Sequence, residues 1–319
     1  MRGVTIAKTN SLLARLARGP LLTLLLALAP ADASPADRPR VVATTPDLAA
    51  IVRAVGGDAV AVTSLARAGE DPHFVDPRPS FVSTLNRADV LVEGGASLES
   101  GWLAPLVQNA RNARIVPGAP GYVAAATGLT LRDVPASLDR AMGDVHPQGN
   151  PHFMLDPVAA RQVAANIAAG LCAADHSRCG EHSARLKSFQ TDLDARLSAW
   201  QARLAPWKGT RIVTYHNGLD YFAARFGLVV AGTLEPKPGI APPPAHLTGL
   251  VATMRAQGVA LVVVESYRER RNPDFVAQSS GATLVSLSTM PDGDGANAYT
   301  ELLEEMIASI VTALERRPK

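Results

Sequence analysis

Three of the chain's seven histidines sit where the backbone is stiff or where an open sheet presents its ligands. In "AGEDPHFVDPRPS", residues 68–80, His73 lies between prolines and among three acidic residues. Pro72, Pro77 and Pro79 each remove a backbone donor and push the preceding residue toward extended geometry, so His73 rides a rigid loop. In "GNPHFMLDP", His152 follows Pro151, and Asp156 with Pro157 opens the next helix. In "RIVTYHNGLDYF", His216 comes directly after an apolar strand and before a helical segment. Imidazole is the commonest metal ligand and suits zinc; three of them leave a fourth position for a carboxylate or a water.

The elements that must position these residues alternate. "RVVATTPDLAAIVRAVGG" reads as a strand, a turn with a helix-capping threonine, and a helix closed by Gly56 and Gly57. "VAVTSLA" is a second strand that leads into the His73 loop, "SFVSTLNRA" is helical, and "DVLVEGGA" is a strand ending in glycines. The same grammar returns in "TRIVTYHNGLDYFAARFG", "VALVVVESY" and "ATLVSLS". Strand, loop, helix and strand at this spacing mean βαβ units and parallel sheets. Open parallel sheets bind ligands beyond the carboxyl ends of their strands, where His73 and His216 fall. Between the two halves, Leu186, Phe189, Leu193, Leu197, Trp200 and Leu204 recur at steps of three and four. They mark an amphipathic helix of about 24 residues, ~36 Å long, ended by Pro206 and Gly209. The expected fold is α/β: two lobes, each a parallel sheet flanked by helices, joined by one long spanning helix.

Residues 1–18 carry Arg2, Lys8, Arg15 and Arg18 and no acid, and "PLLTLLLALAPADAS" follows. The pattern is that of a secretory signal peptide over 1–34, too short and wrongly flanked for a membrane span. No cysteine follows the apolar run, so the expectation is a protein free in the periplasm rather than a lipid-anchored one. The formal charge of +2 falls toward zero once the leader is removed, and nothing indicates nucleic acid. Cys172 and Cys179 are the two cysteines, and in an oxidising compartment a pair this close is expected to form a local disulfide.

The strings "ATTPDLAAIVRAVGG", "AGEDPHFVDPRPS", "VEGGASLESGWLAPLV", "GNPHFMLDP", "VTYHNGLDYFAARFG" and "LEPKPGIAPPPAHL" resemble the solute-binding proteins of zinc and manganese ABC importers over almost the whole chain. The resemblance implies capture of a divalent metal in the periplasm and delivery to an ABC permease in the inner membrane. A metallochaperone is a second candidate partner, and the protein is expected to be a monomer. It implies His73, His152 and His216 as ligands in a cleft between lobes, and an architecture that moves little on binding. The lobes are expected at 35–180 and 206–319, with the linking helix at 181–205. Relatives commonly add an Asp or Glu after the last strand of the second lobe, but here "LVSLSTMPDGDGANAY" has Ser286 and Ser288 at that point. Asp292 and Asp294 follow in a glycine-rich turn, and Glu265 ends the strand "VALVVVES"; Glu265 is taken as the fourth ligand, with Asp292, Asp294 or water as alternatives. Three imidazoles favour Zn2+ over Mn2+, which prefers more oxygen ligands.

Of the other histidines, His146, six residues before His152, is a candidate auxiliary ligand. His176 and His182 read as surface residues, and His246 as a packing residue near a helix start. A zinc enzyme with a three-histidine site is the competing class, since such a metal activates a bound water. The chain has no HExxH helix, no Ser-His-Asp set in a nucleophile elbow and no glycine-rich phosphate loop. A structural or adhesion protein that keeps the lobes without transport is a third class.

Overall fold

A computed structural model of the protein describes residues 1, 3–5, 38–139, 143 and 145–317. The leader expected over 1–34 falls outside them except for residues 1 and 3–5. Among the described residues no helix is long and apolar enough to cross a membrane.

The first lobe is built from β1 (Arg40–Ala43), α1 (Pro46–Gly56), β2 (Ala61–Ser64), α2 (Pro79–Arg87), β3 (Val90–Glu93), α3 (Leu103–Ala110), β4 (Tyr122–Ala124) and α4 (Pro157–Ala174). After α5 (Cys179–Leu204), the second lobe comprises β5 (Arg211–Thr214), α6 (Asp220–Phe226), β6 (Val229–Thr233), α7 (Pro244–Gln257), β7 (Leu261–Glu265), α8 (Arg271–Ser280), β8 (Thr283–Leu287) and α9 (Ala298–Glu315). Each lobe holds a four-stranded sheet, ordered β2-β1-β3-β4 and β6-β5-β7-β8, and every strand pair is parallel. The central strands are continuous apolar runs because helices cover both faces: β1 buries Val41, Val42 and Ala43, and β7 is buried along its length. The expected α/β fold is the one observed. β4 and β6 are the strands the periodicity did not single out; β4 has three residues, and the residues of β6 are only partly covered.

Helix α5 runs 26 residues and starts at Cys179, two residues before its expected start. It packs on α1 and α4 of the first lobe and on α6 and α9 of the second. The expected long joining helix is observed, and α9 adds to it by packing on α1 and α5. Trp200 Nε1 donates to Glu304 of α9 at 2.8 Å, and Tyr299 of α9 donates to the carbonyl of Met154 at 2.8 Å. Arg225 of α6 clamps Asp156 with two bonds of 2.6 and 2.8 Å, and Asp156 is also the N-cap of α4, accepting from Val158 N. One apolar core therefore runs through both lobes, from Val41 and Val92 to Phe222 and Val263.

Two local readings are corrected. Thr45 occupies the N-cap of α1 but its hydroxyl donates to Asp47 instead of capping a backbone group. His182, read as a surface residue, is 1% exposed. It lies four residues before Leu186 and seven before Phe189, on the stripe that α5 buries, so helical period outweighs polarity there. Cys172 at the end of α4 and Cys179 at the start of α5 form the expected disulfide.

Candidate metal centre

His73 follows β2, His152 lies in the segment between β4 and α4, and His216 follows β5. These three exits face one another across the two lobes. One nitrogen from each imidazole lies within 4.8 Å of the other two, and ring centroids are 5.0 Å apart for His73–His152 and His152–His216 and 5.4 Å for His73–His216. Sequence order alone leaves them far apart; the topology gathers them.

Each ring is oriented by an outer partner on Nδ1. Asp71 Oδ1 lies 2.7 Å from His73 Nδ1 and also accepts the backbone N–H of His73 at 3.1 Å. Asn150 Oδ1 does the same for His152, at 2.8 Å to Nδ1 and 3.0 Å to the backbone. An oxygen that takes a backbone N–H is an acceptor, so the ring nitrogen beside it must donate, and Nε2 keeps its lone pair. His216 Nδ1 meets Glu235 Oε2 at 2.8 Å, an oxygen that also takes Gly239 N–H at 3.0 Å. The Nε2 atoms of His73 and His216 are buried and make no hydrogen bond within the protein. A buried lone pair without a donor is costly unless a ligand fills the gap, so these residues fit a divalent cation that takes nitrogen donors.

The electrostatics agree. Burial, and then the neighbouring rings of His216, His73 and His146 and the Arg268 guanidinium, hold the His152 imidazole well below its ordinary pKa, so it stays neutral and able to ligate. Burial raises the Asp71 carboxyl, but the His73 hydrogen bond and charge, together with Arg268, outweigh burial and leave it below the usual carboxylate range. Pro72 is braced as well: Trp102 Nε1 donates to its carbonyl at 2.9 Å.

The fourth position is less complete. Glu265 ends β7 as expected and is 4% exposed, yet it is not among the donors that fall within 4.8 Å of one another. Its carboxyl lies across Gly218 from His152: a Cβ at Gly218 would sit 3.4 Å from Glu265 Oε1 and 3.5 Å from His152 Cδ2. Both residues line a cavity of about 50 Å³ that also meets Thr289 and Met290 at the β8 exit. Burial raises the Glu265 pKa, and Oε2 is buried without a hydrogen-bond partner. Asp294 is turned outward to Arg53 of α1 at 2.7 Å, with its side chain 92% exposed, and Asp292 is exposed. His146 is buried beside the three rings, 5.2 Å from His73 and 6.4 Å from His152, but outside the group of three. His246 lies away from the centre, with Nε2 3.1 Å from the carbonyl of Thr233, and His176 stands in a short turn at the other end of α4.

Sequence reading missed the outer partners. Two of them had a signal, since "DPH" and "NPH" repeat one pattern: an Asx residue two before a proline-braced histidine. Glu235 and Arg268 had none.

Compared with known proteins, residues 41–313 match the family model described as zinc-uptake complex component A, periplasmic. The chain is 25% identical to the manganese ABC transporter substrate-binding lipoprotein PsaA of Streptococcus anginosus over 294 residues, covering 89% of this chain and 92% of that protein. It is 25% identical over 255 residues to the iron ABC transporter substrate-binding lipoprotein MtsA of Streptococcus pyogenes serotype M1, covering 78% and 79%. Among solved structures, a zinc-bound ZnuA deletion mutant superposes with a TM-score of 0.74 at 22% identity, covering 88% of this chain and 100% of that one. The substrate-binding protein FpvC of Pseudomonas aeruginosa with Mn2+ superposes with a TM-score of 0.76 at 24% identity, covering 87% and 99%. These two likenesses are likenesses of fold.

Proposed function

We propose, from the premise that the chain belongs to the family of the periplasmic component A of the zinc-uptake complex, that it captures a divalent transition metal outside the cytoplasm and delivers it to an ABC-type membrane permease. The cargo is zinc, with manganese as the alternative. His73, His152 and His216 hold the ion through Nε2, and the protein works as a monomer without chemical turnover. The observation that carries this reading is the convergence of three imidazoles whose Nδ1 atoms already have partners. Three nitrogen donors favour zinc on ligand type, since manganese prefers oxygen. The relatives named for manganese and iron keep the second cargo in view.

Glu265 is the proposed fourth donor. Asp71 and Glu235 already face an imidazole Nδ1, whereas Glu265 Oε2 has no hydrogen bond. Its carboxyl lies just across Gly218 from His152, and zinc accepts a carboxylate oxygen at about 2.0–2.2 Å.

Calorimetry on metal-free protein tests the reading. One tight zinc site is expected, with manganese weaker in a parallel titration; several equal weak sites, or no heat, would sink it, and tighter manganese would reverse the cargo. In the same assay Glu265→Ala is expected to weaken zinc, though by less than the loss of an imidazole, whereas deletion of residues 292–295 leaves affinity near that of the parent. If neither change matters, water holds the fourth position. An added anion such as azide should then bind at the metal.

A further inference from the structure

Arg268 leaves the end of β7 in a tight turn, with its backbone N–H on the carbonyl of Glu265 at 3.0 Å, and its guanidinium reaches back over the centre. Nη2 lies 3.1 Å from Asp71 Oδ2, Nη1 3.9 Å from Glu235 Oε1, and Nε 3.9 Å from Glu265 Oε2. The charged carbon stands 5.1 Å from the ring centroids of both Tyr215 and Tyr267, and the side chain is 18% exposed. The carboxylates divide their oxygens. Asp71 has Oδ1 on His73 and Oδ2 within hydrogen-bond distance of Arg268, and Glu235 has Oε2 on His216 and Oε1 in a longer ion pair with Arg268. Asp71 belongs to the first lobe and Glu235 to the second.

We infer that Arg268 is a positioning residue for the metal centre: by joining Asp71 and Glu235 across the cleft, it fixes the rings of His73 and His216 and slows escape of the bound ion. The inference rests on these histidines being ligands. A planar guanidinium presents several donors in a fixed fork and so holds two carboxylates at a set separation, which the single ammonium of a lysine does not. Stacking on two tyrosines limits its rotation further. Because the two carboxylates stand in different lobes, the fork also ties the halves of the centre together. A metal leaving the cleft must part His73 from His216, and that parting strains the same contacts.

The opposing effect has a definite sign. A guanidinium near a divalent cation repels it, so if charge alone decided the outcome, removing Arg268 would tighten binding. Orientation of imidazoles by outer partners is worth about 10–100-fold in metal affinity, and the two short carboxylate–imidazole contacts depend on where those carboxylates are held.

Arg268→Lys and Arg268→Gln separate the two effects, because lysine keeps the charge and loses the fork. Zinc-loaded protein is mixed with excess chelator in a stopped-flow instrument and release is followed; the affinity of each variant is measured by chelator competition, and the melting temperature of each metal-free variant is recorded. Arg268→Gln is expected to release zinc at least about tenfold faster and Arg268→Lys by an intermediate factor, with association rates near the parent's. Release at the parent rate by Arg268→Lys, or tighter binding by Arg268→Gln, overturns the inference while leaving the three-histidine site intact. Failure of the parent protein to bind zinc overturns both. Should Arg268→Gln lose its fold with the tyrosine stacking, Arg268→Lys alone decides the matter.

Discussion

Replacing His73, His152 or His216 singly with alanine is expected to weaken zinc binding by more than about 100-fold, each to a similar degree. Loss of an outer partner alone costs about 10–100-fold, and these substitutions remove the donor atom itself. They also leave a partner stranded. Without the His73 ring, Asp71 Oδ1 keeps only a backbone N–H, and without His216, Glu235 Oε2 keeps only that of Gly239. No other imidazole stands ready at the same spot, since His146, with its ring 5.2 Å from His73, lies outside the convergent group of donor atoms. The controls are His176 and His182. His176→Ala should leave affinity unchanged. His182→Ala should lower stability without touching affinity, because the ring is buried in α5 away from the centre. Competition titration against a chromophoric chelator measures the first set, and thermal melts of metal-free protein the second. If one of the three variants binds zinc as the parent does, its residue is not a ligand and the centre needs redrawing.

Zinc affinity is expected to fall steeply as pH drops below the ordinary imidazole range near 6.5, because protons and metal compete for the same lone pairs. The steepness carries the information. Burial and the surrounding rings and guanidinium push the His152 pKa well below that range, so His152 refuses a proton where an unperturbed imidazole would accept one. A plot of log Kd against pH between about 6 and 5 should therefore have a slope smaller than three protons, and a full three-proton slope would mean that His152 titrates like a free imidazole. Stability of the metal-free protein follows the same sign. Below about 6.5 the unfolded chain protonates this histidine while the folded chain does not, so unfolding binds a proton and the contribution of His152 to stability is lost as pH falls. His152→Gln should flatten that part of the melting-temperature profile. It leaves a neutral polar side chain in place.

The residues at the centre were legible because their signals are local. Proline-braced "DPH" and "NPH" and a histidine at a strand exit can each be read within a few residues, and the bonds that orient His73 and His152 run from Asp71 and Asn150 only two positions back. The α/β class was legible for the same reason, since apolar period and glycine punctuation are properties of short windows. The long helix α5 is legible from its stripe, whereas His182, which flanks the cysteines and reads as a surface residue, lies one turn before the stripe's first marked residue and is buried.

Tertiary structure decided the rest. Strand order β6-β5-β7-β8 sets β6 and β7 on either side of β5, and only this places Glu235 and Glu265 on the flanks of His216. That α9 also ties the lobes together, that Asp294 turns out to Arg53, and that Arg268 meets Asp71 of the other lobe are likewise outcomes of packing. A bond between residues two apart is imposed by the covalent chain, whose geometry the residue types specify directly. A contact between residues on different strands or lobes exists only after the sheets have formed and docked, and its partners carry no mark of one another in the sequence.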